Sequence, residues 1–136
     1  MVLPFEKEYR QEYYKILDEI FDSNFWSDGK ITREFEEKFG DYIGLNACAV
    51  TSGGAGLLSV LDYVNVKDAE VIVPANTFWA TAQSAKKAGA KVVYVDCNKE
   101  DLCMSYDDMV RKVTDKTKAV IVVHICLLYT SPSPRD

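Results

Sequence analysis

The chain of 136 residues holds a single histidine, His124, and four cysteines, Cys48, Cys97, Cys103 and Cys126. No C-x-x-C pair occurs, and the histidine stands at no zinc-like spacing from a cysteine. Neither a metal site nor a disulfide frame is therefore expected, and the cysteines read as small buried or loop thiols of a reducing compartment. Positive charge is also scarce: 16 Lys+Arg against 21 Asp+Glu give a net charge of -5. Without a basic cluster the electrostatic footprint of nucleic-acid binding is missing. The longest apolar runs, from Val71 to Pro74 and from Ala119 to Ile125, fall far short of the roughly 20 residues that cross a bilayer, so no membrane partner is expected. Glu6, Lys7, Glu8 and Arg10 follow directly on Pro4 and Phe5, a start with neither the basic nor the apolar part of a secretory signal. The expected location is cytoplasmic.

With 48% hydrophobic and 27% charged residues, the composition is that of one mildly acidic globular unit. No internal repeat or low-complexity linker interrupts it before Ile125. From Cys126 to Asp136 the alternation of apolar runs and polar helices stops, and the string Cys-Leu-Leu-Tyr-Thr-Ser-Pro-Ser-Pro-Arg-Asp resembles the translation of a transposase adapter used in sequencing libraries. Residues 126–136 are therefore expected to be a non-native tail, and residues 1–125 to be an N-terminal fragment of a larger domain.

Within 1–125, Tyr9, Tyr13, Ile16, Leu17, Ile20 and Phe21 recur at helical spacing, and Ser23 and Asn24 suit the end of that helix. After the loop from Phe25 to Gly29, Thr32 is expected to cap a second helix whose Phe35, Phe39 and Tyr42 share a face, with Gly44 stopping it. A short apolar run, Ala47 to Thr51, precedes the turn Ser52-Gly53-Gly54. Leu57, Leu58, Leu61 and Val64 then mark a helix from near Ala55. Val71 to Val73 form a second run, ended by Pro74. Asn76 or Thr77 would cap a helix from Thr81 to Ala88, with Gly89 as terminator. Lys91 to Val95 form a third run, Ser105 caps a helix from Tyr106 to about Val113, and the fourth run is Ala119 to Ile125. Four Val-rich strands alternating with helices predict an α/β fold with a mainly parallel sheet flanked by helices.

In such folds ligands gather beyond the carboxyl ends of the strands. The turn Thr51 to Gly56 joins a run to a helix through small residues whose amides and helix dipole favour a phosphate, with Ser52 adding a hydroxyl. Its glycines equally suit a tight turn and close helix packing. The lysine of a P-loop is absent, and so is the third glycine of the dinucleotide pattern; the second run ends in Pro74-Ala75-Asn76, without an acid for a ribose. After that run, the adjacent aromatics Phe78 and Trp79 can face a ring-shaped ligand, or can be ordinary core or interface residues. Cradle and platform together point to a phosphorylated aromatic cofactor.

Several motifs in order then carry a resemblance: Phe35 to Phe39 with Tyr42-Ile43-Gly44, Ser52-Gly53-Gly54-Ala55, Glu70 to Phe78, Gly89-Ala90 leading to Val95-Asp96, and Lys116 to His124. This series resembles the DegT/DnrJ/EryC1/StrS aminotransferases, fold-type I enzymes dependent on pyridoxal 5'-phosphate (PLP). The resemblance implies the N-terminal part of the large domain of that fold. It implies that Ser52, Gly53 and Gly54 hold the cofactor phosphate and that Phe78 stacks on the pyridine ring with Trp79 beside it. Gly54 stands where the family commonly has threonine, which moves the binding toward backbone amides and Ser52. Gly56 stands where alanine is usual and weakens the helix start by about 0.5 to 1 kcal/mol. The loop from Trp26 to Gly29 resembles a segment near the substrate mouth, and equally suits a packing loop.

The implied activity is transfer of an amino group, commonly from glutamate, to a nucleotide-linked keto-sugar in polysaccharide or secondary-metabolite sugar biosynthesis, by a homodimer with shared active sites. Two alternatives remain: a PLP-dependent sugar dehydratase on the same scaffold, and a non-catalytic α/β nucleotide-binding domain. By the resemblance, the Schiff-base lysine and the acid at the pyridine nitrogen lie beyond His124. No catalytic residue is therefore assigned; Lys86, Lys87, Lys91, Lys112, Lys116 and Lys118 read as surface groups, and His124 as structural. Asp96 reads as a loop residue, and Asp107 and Asp108 as a solvated helix start. A fragment of this kind is expected to be inactive and poorly soluble.

Overall fold

The computed structural model describes residues 7–125, so the eleven-residue tail lies outside the described part. Its elements run α1 (Lys7–Ser23), α2 (Lys30–Ile43), α3 (Gly53–Val64), β1 (Glu70–Pro74), α4 (Trp79–Lys87), β2 (Lys91–Val95), α5 (Tyr106–Lys112) and β3 (Thr117–Val120). The chain divides into two compact units between Ala49 and Val50.

The first unit holds α1 and α2. Helix α2 starts two residues before the expected Thr32 cap: Gly29, with extended backbone, is the N-cap and has no side-chain bond to offer. The Arg33 N–H already bonds the Gly29 carbonyl at 3.3 Å, which leaves Thr32 inside the first turn. At the other end Gly44 takes φ 70° and its N–H bonds the Gly40 carbonyl, the left-handed stop that glycine permits without strain.

The second unit is a parallel sheet of order β2-β1-β3 with three helices. Strand β1 is central; Ile72 pairs with Val93 on one side and Val120 on the other. All five of its residues are buried, which is what a central parallel strand covered on both faces requires. Val71 and Val73 share one face and pack with Leu61, Val66 and Ala85 into the core, with Ala82, Val92 and Ile121 at its border. Helix α4 rests against the sheet, while α3 packs mainly on α4 and reaches the core through Leu61; their first turns lie side by side at Gly54 and Ala80.

Of the four expected strands, three form. Residues 47–51 are unpaired, and Val50 is half exposed. A strand exists only through a partner, and here the Ala49 N–H is taken instead by the Glu36 carboxylate at 2.7 Å. The fourth run pairs only over Thr117–Val120, earlier than its apolar stretch, with one further bond from the Ile121 N–H to the Ile72 carbonyl. Helix α4 begins at Trp79, with Phe78 as an N-cap that makes no side-chain bond. The two expected caps are engaged elsewhere, Asn76 donating to the Leu102 carbonyl and Thr77 sharing a bond with Thr81. Ser105 caps α5 as expected, accepting from the Asp108 N–H.

Asp108 is not a solvated face residue. Its Oδ2 accepts the Asp96 N–H at 2.8 Å and the Lys112 ammonium at 2.7 Å, while Arg111 bonds Oδ1. Lys112 also donates to the Tyr94 carbonyl. The carboxylate thus pins α5 to the end of β2, and the Asp96 N–H, followed by Lys112, lowers its pKa to about 2. A depressed acid contributes stability that is present above its unfolded pKa and disappears as pH falls through the folded one. Asp108→Asn is therefore expected to melt at lower temperature than the parent near neutral pH, with the difference closing between about pH 4 and 2. Melting curves across that range test it; a gap independent of pH would remove the carboxylate from the account.

Candidate functional site

Ser52 ends an extended stretch and caps α3, its Oγ accepting the Ala55 N–H at 3.2 Å. The helix therefore begins at Gly53, two residues before the expected Ala55. Its first main-chain bond runs from the Gly56 N–H to the Ser52 carbonyl, 3.0 Å. The N–H groups of Gly53 and Gly54 precede that bond, so no earlier turn gives them an acceptor. They point out of the positive end of the helix dipole, the arrangement that attracts an anion.

Neither glycine has positive φ, the feature that would demand glycine for the turn itself. A Cβ on Gly54 would lie 3.5 Å from the Ala80 Cβ, so this residue does pack against α4. A Cβ on Gly53 would meet nothing within 4 Å. Close packing among the described residues thus does not account for Gly53, which lines the cavity described next.

Phe78 and Trp79, at the start of α4, are 69% and 68% exposed, so the described residues do not bury the pair in their core. Their ring centroids are 5.5 Å apart and tilted by 53°. The packing of α3 on α4 brings the two turns to one concavity of about 800 Å³, lined by Ser52, Gly53, Gly54, Phe78 and Trp79 together. Thr81, Gln83, Ser84 and Lys87 complete the α4 side. Those four were not foreseen, although Ala80, Ser84 and Lys87 stand at spacings of four and three on one helix face. Lys87 brings a positive charge, and among the described residues no carboxylate lines the cavity. Two amides at a helix start with no acceptor among the described residues, a capping hydroxyl, a lysine and exposed rings form a donor set that fits a phosphate carried on a flat ring.

Other candidates lie elsewhere. His124 is exposed, four residues past β3. Cys48 is exposed and Cys97 and Cys103 are half-buried, in loops rather than core; Cys126 is outside the described residues. Asp96 is a loop residue whose Oδ1 accepts the Cys97 N–H. Lys91 pairs with Glu70 at 2.8 Å, and Lys118 donates to the Asn65 carbonyl. In the first unit, Trp26 meets Phe21 edge-on at 5.2 Å, and Trp26 and Gly29 line a separate cavity of about 540 Å³ with Arg33. Among the described residues no group of His, Cys, Asp and Glu is placed to hold a metal, and no helix is long and apolar enough to cross a membrane.

Comparison with known proteins gives the same direction as the geometry. A model of the DegT/DnrJ/EryC1/StrS aminotransferase family matches residues 7–126. The chain is 34% identical over 123 residues to the GDP-perosamine synthase of Escherichia coli O157:H7, covering 88% of this chain and 32% of that protein. It is 30% identical over 117 residues to the GDP-4-keto-6-deoxy-D-mannose 3-dehydratase of Yersinia pseudotuberculosis, covering 80% of this chain and 30% of that one. Among solved structures, NtdA from Bacillus subtilis with bound cofactor PMP superposes with a TM-score of 0.78 at 25% identity, over 89% of this chain and 28% of that one. The chain thus spans about a third of the length of these relatives.

Proposed function

The chain belongs to the DegT/DnrJ/EryC1/StrS aminotransferase family, and from that premise we propose that it forms the cofactor-phosphate and ring-stacking part of a PLP-dependent sugar aminotransferase. The observation that carries this reading is the convergence of the Ser52-Gly53-Gly54 helix start and the Phe78-Trp79 pair on one cavity. When bound, the cofactor supplies an electron sink that lets an amino group move from donor to acceptor. The amides of Gly53 and Gly54 and the Ser52 hydroxyl hold its phosphate, and Lys87 adds a positive charge to the cavity. Phe78 covers one face of its ring and keeps water from that face, with Trp79 beside it. Fixing the phosphate and one ring face sets the orientation in which the opposite face meets substrate.

The proposed acceptor is a nucleotide-linked keto-sugar and the donor commonly glutamate, in polysaccharide or secondary-metabolite sugar biosynthesis, with the whole protein a homodimer. The similarity to a GDP-4-keto-6-deoxy-D-mannose 3-dehydratase favours one second reading, loss of water from such a sugar on the same scaffold. Titrating the chain with PLP while following tryptophan fluorescence tests the first step; saturable quenching is expected, and its absence would also favour the non-catalytic binding domain. In the whole protein, GDP-4-keto-6-deoxy-D-mannose and glutamate labelled at nitrogen separate the two enzymes. An aminotransferase leaves the label in the sugar, and a dehydratase does not. Light scattering on the whole protein tests the dimer.

A further inference from the structure

Ser84 lies in the middle of α4 and is only 5% exposed. Alanine would favour the helix more and would bury no hydroxyl, so a serine here needs a reason beyond filling space. Its Oγ has one proton and two acceptors in reach, the Ala80 carbonyl of its own helix at 2.8 Å and the Gly54 carbonyl of α3 at 3.1 Å. The second bond crosses between helices, thirty residues back in the chain. It ends on the peptide that follows Gly54, and the N–H of that same peptide belongs to Ala55, which donates to the Ser52 Oγ at 3.2 Å. Carbonyl and N–H of one trans peptide are held in a rigid plane and point in opposite directions.

We propose that Ser84 is a positioning residue of the phosphate cradle, acting through the Gly54–Ala55 peptide on Ser52. The inference rests on the cofactor-phosphate reading above. A hydroxyl carries one proton and two lone pairs. The Ala55 N–H occupies a lone pair of Ser52, which leaves the Ser52 proton to point away from the helix, to the side onto which the Gly53 and Gly54 N–H groups open, so that all three donors can meet one acceptor. The bond from Ser84 polarises the intervening peptide and strengthens the donation to Ser52. Ser84 also anchors that peptide to α4, the helix that begins with Trp79, so the phosphate donors and the ring platform keep a fixed separation. Gly54 has no side chain of its own to brace the turn, and the hydroxyl that does so comes from the neighbouring helix.

The test compares the whole chain with three variants at position 84, using pyridoxine 5'-phosphate and pyridoxine as non-covalent probes and tryptophan fluorescence as readout. The parent is expected to prefer the phosphorylated probe. Ser84→Ala is expected to lose about tenfold in affinity for pyridoxine 5'-phosphate, the effect of one good hydrogen bond, with pyridoxine affinity unchanged. Ser84→Thr, which keeps a hydroxyl, restores the preference. Ser84→Cys, which keeps the volume with a weak donor, follows alanine and carries the comparison if the alanine variant does not fold. An unchanged ratio of the two affinities in alanine or cysteine, whatever the melting temperature, overturns the proposal and leaves the cradle in place. A parent that shows no preference for the phosphorylated probe overturns the cradle and this inference together.

Discussion

Gly53→Asp is expected to leave the protein slightly more stable and unable to bind a phosphorylated ligand. The site chosen has no positive φ to violate and no neighbour within 4 Å of a new Cβ. Replacing glycine where the backbone suits other residues stabilises by about 0.4 to 1 kcal/mol through the unfolded chain. A carboxylate in the first turn of α3 adds about 0.3 to 1 kcal/mol through the helix dipole. The same carboxylate occupies the place where a phosphate would meet the Gly53 and Gly54 amides. Two like charges about 4 Å apart near a protein surface repel by about 4 kcal/mol, so affinity should fall by more than a hundredfold. Gly53→Ala serves as control, with stability retained and a much smaller loss of binding. Thermal melting and titration with pyridoxine 5'-phosphate decide the matter. A glycine that served only the turn would lose stability on substitution, and retention of binding within threefold in the aspartate variant would place the phosphate elsewhere.

What could be read from the residues follows from the range of the interactions involved. Strands β1 and β2 are legible because Val71 to Val73 and Val92 to Val95 are apolar on both faces and bounded by Pro74 and Asp96. The run from Ala47 to Thr51 looks much the same, but a strand depends on an edge to pair with, and no local pattern reveals that the Ala49 N–H bonds Glu36. Ser105 is legible as a cap because its hydroxyl bonds an amide three residues on; Ser52 makes the same bond, but the two glycines after it read as a turn and put the expected helix start at Ala55. Phe78 is not, since its cap is made by backbone angle alone. Asp108 shows the same division. Its pairs with Arg111 and Lys112 are readable from helical spacing, whereas the bond from the Asp96 N–H, twelve residues away, is not. For the candidate site, the two turns could be picked out singly by position after apolar runs. Their meeting depends on Gly54 packing against Ala80 and on Ser84 reaching the Gly54 carbonyl, contacts between helices that no spacing rule contains.

Leu61→Ala should be the most damaging single truncation on α3. Leu61 is 3% exposed and is the buried residue by which that helix joins Val66, Val71, Val73 and Ala85. Removing a buried leucine side chain costs about 3 kcal/mol from lost transfer energy and the cavity left behind. Against a total stability of about 5 to 15 kcal/mol for an ordinary domain, that is a large share. Two turns of helix separate Leu61 from Gly53, so the loss falls on the element that presents the phosphate donors. Tyr63→Ala on the same helix, 92% exposed, should change stability by no more than about 0.5 kcal/mol. A ligand that binds only the folded state stabilises it by mass action, about 2.7 kcal/mol at a hundred times its dissociation constant. Pyridoxine 5'-phosphate at that excess should therefore offset most of the Leu61→Ala loss in a urea titration. In a Leu61→Ala, Gly53→Asp double variant the same addition should recover nothing, because the carboxylate blocks the site while leaving the core defect as it was. Equal recovery in both would mean that the ligand binds away from the start of α3, and no recovery in either would mean that α3 does not carry the phosphate at all.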